Sequence, residues 1–297
     1  MPFGSRWSSA DSVIEAMAGQ NYITDGNLAM TVFLAARLGK PLLVEGEPGC
    51  GKTEIAKVLA AATGTELIRL QCYEGLDANA SLYEWNYAKQ LLTIRLYEKS
   101  RKPNELEAEI FDERFLLKRP LLRALSGDGP APPVLLIDEI DRADEEFEGL
   151  LLEVLSDFQI TIPEIGTVKA KTLPFVVITS NRTRELSDAL KRRCLYAYLG
   201  FPSLEKEVAI LRRKVPGIEE RFAREIASFV QRVRSEDELV KRPGIAETLD
   251  WAAALLTLGQ GRIGREVVEQ TLGLLVKDAQ DLKVLQSPRL EALLGPK

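Results

Sequence analysis

Short runs in which every position is apolar recur along the chain: Leu42-Leu43-Val44, Val134-Leu135-Leu136-Ile137 and Phe175-Val176-Val177-Ile178. Such runs, bounded by turn formers, suit strands buried on both faces. Leu67–Leu70 and Leu195–Leu199 complete a set of five candidate strands. Between them the apolar spacing becomes helical. Ile55, Ala56, Val58, Leu59 and Ala62 share one side of a helix over 52–63 that Gly64 ends, and Phe147, Leu150, Leu151, Val154 and Leu155 follow the i, i+3, i+4 pattern of another. Strands alternating with helices predict a mostly parallel sheet covered on both faces. Ahead of the first strand, Asp11 is placed to cap a short helix, and Asp25 or Asn27 to cap a longer one ending at Leu38. Pro120 suits the first turn of a helix through Leu125, closed by the loop 127–130. Gln159–Ile162 and Thr167–Ala170 flank Pro163–Gly166 and read as a β-hairpin with a four-residue turn. From Asp77 to Tyr97 two readings stay open: Leu82, Trp85, Leu92 and Leu96 suit a helix, while Leu92–Leu96 alternates as a strand does. A charged stretch, Lys99–Glu113, follows it.

Beyond Pro202 the strand signal disappears. Helical periods cover roughly 203–214, 219–234, 244–258 and 264–276, with a weaker one before Pro288. The chain therefore divides into an α/β domain over 1–200, with insertions near 82–97 and 158–170, and an all-helical domain over 201–297.

The candidate chemistry sits where the first strand breaks. Gly46-Glu47-Pro48-Gly49-Cys50-Gly51-Lys52-Thr53 fits G-x-x-x-x-G-K-[ST] between a strand and a helix. Glycines let such a loop turn its N–H groups inward around a phosphate chain, Lys52 reaches the β- and γ-phosphates, and Thr53 can hold Mg²⁺. Cys50, at a helix N-terminus among those N–H groups, is expected to have a lowered thiol pKa. The strand Val134–Ile137 ends in Asp138-Glu139, about ninety residues later. There Asp138 can hold the water shell of Mg²⁺ and Glu139 can polarise an attacking water. Asn181 lies at the C-terminal end of the next strand, where open α/β sheets place ligand contacts.

Composition narrows the chemistry further. The chain has no histidine, which removes His-based triads, His general bases and His metal sites. Its three cysteines, Cys50, Cys72 and Cys194, are far apart, against a disulfide framework or zinc ribbon. A net charge of −5 makes nucleic acid an unfavoured partner. No apolar run approaches the roughly 20 residues of a membrane span, and MPFGSRWSSADS lacks the apolar core of a signal peptide, so membrane insertion is not expected and the protein is expected in the cytoplasm. Little chain precedes the glycine loop, so no N-terminal substrate domain is expected.

Together GEPGCGKT, LLIDE, TSN, KRRC before the fifth strand and a helical tail resemble the AAA+ ATPases over nearly the whole chain. IDEIDRADEEFEGLLLEVLSDFQITIPEIGTVKA followed by VVITSNRTREL is similar to the MoxR group, and TELIRLQCYEGLDANASLYEWNYAKQLL more narrowly to the MoxR-type chaperone for carbon monoxide dehydrogenase maturation. The fold so implied is a P-loop NTPase five-stranded parallel sheet with a C-terminal helical lid. The resemblance also implies ATP and Mg²⁺ as cofactors, and a homo-oligomeric ring, usually a hexamer, with ATP between subunits. Arg193, with Arg192 in reserve, matches the arginine that completes a neighbour's site, and Asn181 matches the first sensor. The nucleotide contacts implied are Gly46, Pro48, Gly49, Cys50, Gly51, Lys52, Thr53 and Glu54, with Tyr22 and Ile23 at the adenine. In one place the chain departs from the family pattern: KRPGIAETLDWA puts Ile245 where the commoner MoxR form has its second-sensor arginine, leaving Lys241 or Arg242 for that role. Family partners are a von Willebrand factor A domain protein and a client metalloenzyme, reached here through the two insertions. Two other readings compete: a DNA-associated AAA+ loader or helicase, which needs a basic patch, and a small-molecule P-loop kinase, which Asn181, the arginine pair and the helical tail oppose.

Overall fold

The computed structural model describes residues 3–77, 81–97, 110–127, 129, 131–286 and 289–294. Most of the charged stretch from Lys99, parts of the loop 127–130 and Pro288 lie outside the described residues. The chain forms two compact units, one of Met1–Ala16, Asp25–Glu45 and Thr53–Ala197, the other of Met17–Thr24, Gly46–Lys52 and Tyr198–Lys297.

Strands β1 (Leu42–Gly46), β2 (Leu67–Gln71), β5 (Val134–Asp138), β8 (Phe175–Ser180) and β9 (Leu195–Leu199) form a five-stranded sheet in the order β2-β5-β8-β1-β9. The β2–β5, β5–β8 and β1–β8 ladders are parallel, as the apolar runs predict. Every residue of β5 and β8 is buried, whereas β2 alternates, with Ile68 and Leu70 inward and Arg69 and Gln71 outward. That is the pattern of an edge strand with one open face. Helices α1 (Ala10–Gly19), α2 (Gly26–Leu38), α3 (Lys52–Thr63), α4 (Tyr87–Tyr97), α5 (Pro120–Ser126), α6 (Glu145–Asp157) and α7 (Asp188–Arg193) accompany the sheet. On α6, Phe147, Leu151, Val154 and Leu155 bury the predicted stripe, and the Asp144 side chain accepts from the Phe147 N–H at 2.9 Å to start the helix. Phe3 stacks on Phe175 at 4.8 Å and meets Trp7 edge-on at 5.5 Å.

Two local expectations change and one open reading is resolved. Ser9, not Asp11, caps α1, because the Ser9 and Ser12 hydroxyls each accept the other's backbone N–H at 3.2 Å. Asp25 does cap α2, accepting from the Leu28 N–H. The ambiguous stretch divides: β3 (Tyr83–Trp85) pairs antiparallel with β4 (Leu116–Lys118), and Leu92–Leu96 lies within α4. Trp85, the last residue of β3, packs edge-on to Phe111 at 5.3 Å and joins the core of the sheet unit, so it serves a strand and not a helix face. In the hairpin, β6 (Gln159–Ile162) pairs with β7 (Gly166–Lys169), and Ile162 opposes Gly166. The turn is therefore three residues long, with Gly166 at φ +95° supplying the left-handed step that such a loop needs. Ile160 and Ile162 are buried in the unit's core, which anchors the otherwise marginal ribbon.

The second unit holds α8 (Leu204–Lys214), α9 (Glu220–Arg234), α10 (Ile245–Thr257), α11 (Arg265–Leu275), α12 (Ala279–Val284) and α13 (Arg289–Leu294). Its core centres on Trp251, fully buried, with its indole N–H on Thr271 Oγ1 at 2.8 Å and Phe229 5.3 Å away. Beside that core lies a charged pair. Glu207 accepts from Arg234 Nη1 at 2.7 Å and Nη2 at 2.8 Å, from Gln231 Nε2 at 2.8 Å and from Thr248 at 3.0 Å, while Arg234 Nε donates to the Pro243 carbonyl at 2.7 Å. Every lone pair of a carboxylate that sees no solvent is thus occupied, and α8, α9 and α10 are tied at one point. Arg234→Ala should cost about 3–5 kcal/mol in urea unfolding, because it strands the buried Glu207 charge. Pairing Glu207→Leu with Arg234→Met should cost less than the single change, and an equal or larger cost would show that the pair is itself the stabilising element.

Candidate active site

Within the second unit the glycine loop meets Leu199, at the end of β9, and Gly244, just ahead of α10, backbone to backbone. A Cβ at Gly46 would lie 2.0 Å from the Leu199 carbonyl oxygen, and one at Gly244 would lie 2.7 Å from Gly49 Cα. Only glycine fits either place. Gly49 and Gly51 also hold φ of +75° and +88°, so the loop's turns need glycine for conformation as well as space. The N–H of Ile245, the first residue of α10, donates to the Gly49 carbonyl at 2.9 Å, and Glu247 accepts from the Gly244 N–H at 2.9 Å. Lys52, buried, donates from Nζ to the carbonyls of Gly46 at 2.9 Å and Glu47 at 2.8 Å, holding the loop around its amine. Pro48 and Glu47 are exposed on the loop's outside, and Glu54 pairs with Lys57 at 3.6 Å one turn into α3.

At the carboxyl end of β5 the sheet unit gathers its own polar cluster. Asp138, 2% exposed, accepts on Oδ1 from the Thr53 hydroxyl at 2.9 Å and the Thr179 hydroxyl at 2.6 Å. On Oδ2 it accepts from Arg69 Nε at 3.1 Å and Nη2 at 2.6 Å. Thr179 in turn accepts the Glu139 N–H at 2.9 Å, which holds Glu139 in the left-handed region at φ +57°. That conformation is uncommon outside glycine and asparagine and turns the chain sharply off the strand end. The Glu139 carboxylate stays open to water at 37% exposure and meets Arg142 at 3.1 Å. Because both ends of that pair are solvated, it is weak and leaves Glu139 available.

Asn181 is held by its backbone. Its N–H donates to Asp141 Oδ1 at 3.1 Å, and Thr183 donates to Asp141 Oδ2 from its N–H at 2.9 Å and its hydroxyl at 2.6 Å. Burial alone would raise the Asp141 pKa, but these hydrogen bonds from Thr183 and Asn181 outweigh it and set it below the ordinary value. Arg193 lies elsewhere in the sheet unit, exposed in the last turn of α7, where Nε donates to Ser156 Oγ at 2.8 Å and Nη1 to the Ala189 carbonyl; Arg192 beside it is exposed. In the helical unit Tyr22 and Ile23 are half-buried on the short segment after α1. Ile245 is buried, Arg242 is exposed with Asp237 3.9 Å away, and the Lys241 N–H is bound by the buried Asp281. Arg69, Asp141 and Arg142 were not singled out from the sequence; the spacing in DEIDRAD hinted at Asp141 and Arg142, whereas Arg69 depends on strand pairing.

Residues 41–194, just over half of the chain, match the family model for the AAA domain of the dynein-related subfamily. The chain belongs to that AAA family. A curated relative from Staphylococcus haemolyticus, an uncharacterized protein, is 30% identical over 163 residues, which are 52% of this chain and 54% of the relative. The chain thus spans about half the length of the curated relative it matches. Among solved structures, the P216G mutant of Thermotoga maritima RuvB is 22% identical at a TM-score of 0.49, covering 93% of this chain and 75% of that one. The RuvB Holliday junction branch migration motor of the same organism gives 22%, 0.45, 94% and 75%. Membership of the AAA family implies nucleotide binding, typically with Mg²⁺, and ATPase activity in general. Among the described residues no helix is long and apolar enough to cross a membrane.

One expectation for this AAA site is overturned. Burial pushes the Cys50 thiol up to about 11, outweighing the nearby Lys52 and Arg234 charges that lower it. Cys72 and Cys194 are likewise pushed up to about 12, by burial first and, for Cys72, by Asp138 and Asp141 as well. A raised pKa leaves the neutral thiol dominant at pH 8, and although a more basic thiolate is a better nucleophile, the scarcity of thiolate wins. In the native protein Cys50 should react with a disulfide reagent at least about tenfold more slowly than free cysteine, and guanidinium should release all three thiols. A fast single-thiol phase from Cys50 at pH 8 would restore the helix-terminus reading.

Proposed function

We propose that the protein is a MoxR-type AAA+ ATPase whose ATP hydrolysis remodels a client protein complex, a metalloenzyme such as a molybdenum hydroxylase of the carbon monoxide dehydrogenase kind. The observation that carries the ATPase half is the Thr53–Asp138–Thr179 cluster at the end of β5, reached by the first turn of the glycine-loop helix. The residues fit a hard cation. Thr53 donates its proton to Asp138, so its lone pairs remain for a metal, and the donor set is hydroxyl and carboxylate oxygen, the chemistry Mg²⁺ prefers. Thr53 would hold the ion directly and Asp138 through its water shell; when bound, Mg²⁺ with ATP supplies charge neutralisation at the phosphates. Lys52 and the loop N–H groups bind the phosphates. Glu139, open to solvent, orients a water and takes its proton, and Asn181, fixed through Asp141, fits the first-sensor position. Arg193 acts on a neighbouring subunit in a ring, for which its exposure is what supports the reading.

The remodelling half rests on the insertions. Helix α4 leaves Tyr87, Leu91, Leu92 and Leu96 between 59% and 68% exposed, an apolar surface suited to a client or to a von Willebrand factor A domain partner. Lys52→Ala should abolish nucleotide binding, whereas Glu139→Gln should bind ATP and lose hydrolysis; unchanged turnover in Glu139→Gln would sink the assignment. The Glu139→Gln form held in ATP should also retain a client, and retention should be lost when Leu91, Leu92 and Leu96 are changed together to Gln. Equal retention would move the work to the hairpin or the helical unit.

Arg193→Ala should bind ATP yet hydrolyse it roughly 10³-fold more slowly, as expected of an arginine finger. Mixed rings of Arg193→Ala and Glu139→Gln subunits should recover some turnover at junctions where both intact groups meet. If verified mixed rings recover none, Arg193 serves its own subunit.

A further inference from the structure

The geometry points to Arg69 as a resident counter-ion that occupies Oδ2 of Asp138 and must leave before the water shell of Mg²⁺ is engaged there. The inference rests on the nucleotide reading above and adds a competitor to it. A carboxylate offers about four acceptor directions. In Asp138 two of them, on Oδ1, are taken by Thr53 and Thr179, and two, on Oδ2, by Arg69 Nε and Nη2. No acceptor direction is left for the water shell of a cation. Neither threonine can yield without loss, since Thr179 also holds the Glu139 N–H and Thr53 presents its lone pairs only while its proton is donated.

Burial decides which partner of the ion pair moves. The Arg69 side chain is 50% exposed and that of Asp138 is 3% exposed. A guanidinium already half in water loses little by swinging out, while the carboxylate is fixed at the end of a fully buried strand. Arg69 also has a second acceptor in reach, since Nη2 donates to the Gln71 side chain, two residues along the same outward face of β2. The pair therefore neutralises the buried charge when no cation is present and hands it over when one arrives.

Two measurements test this on the full-length protein. The first is the Mg²⁺ concentration that gives half of the gain in affinity for a fluorescent ADP analogue, and the second is the thermal midpoint in EDTA against Mg²⁺ with ADP. In Arg69→Gln the half-point should fall by about fivefold or more, the lower end of ordinary coupling between sites. The thermal midpoint should drop in EDTA and recover with Mg²⁺ and ADP by a wider margin than in the wild type. Arg69→Lys, which keeps the charge but cannot fork two N–H groups onto one oxygen, should shift both readings the same way by less. A half-point that is unchanged or raised in both variants, or a drop in midpoint that is equal with and without Mg²⁺, would make the pair a static bridge and overturn the inference. If Mg²⁺ alters neither reading in the wild type, the nucleotide reading itself falls and the inference falls with it.

Discussion

A charged carboxylate buried at the end of a fully buried strand is the constraint on which the sheet unit depends. Asp138 would be costly to desolvate alone, and it is tolerable because four donors reach it from three separate segments: the start of α3, β2 and β8. Each of those donors arrives by register. Gln71 opposes Asp138 in the β2–β5 ladder, which puts Arg69 two residues back on the same side, and Ile137 opposes Ile178 in β5–β8, which brings Thr179 alongside. A slip of one residue in either ladder would turn the donor to the opposite face and strand the charge. The polar cluster and the apolar runs therefore specify the same alignment, the chemistry at one end of the strands and the packing along them.

In the helical unit the corresponding constraint is steric. Gly46 against Leu199 and Gly49 against Gly244 bring main chains closer than any side chain permits, and the Ile245 N–H to Gly49 bond secures the contact. Here the absence of atoms positions the loop, whereas at Asp138 the number of hydrogen-bonding atoms does.

Much of this was legible in the chain. Runs such as Val134–Ile137 identified buried strands because a parallel sheet covered on both faces leaves no polar side. The α6 stripe and the Asp25 cap were equally local and equally readable. What escaped was whatever depends on distant partners. Arg69 fell inside the candidate strand Leu67–Leu70 without being singled out, since its meeting with Asp138, 69 residues later, is set by pairing that periodicity does not encode. Cys50 was misjudged because its place at a helix start suggested an activated thiol, while burial, invisible in the local sequence, decides its pKa. Leu92–Leu96 alternated like a strand by chance of composition, and α4 continues through it with Leu92 and Leu96 exposed.

The placement of the three tryptophans gives the molecule optical reporters in separate regions. Trp7 lies against Phe3 near the chain's start, Trp85 in the insertion against Phe111, and Trp251 at the centre of the helical unit. All three are at most 7% exposed, so each emits from an apolar surrounding in the folded state and turns to the red when its own neighbourhood opens to water. A chain keeping one indole at a time would thus report, by colour alone, which part of the protein loosens first.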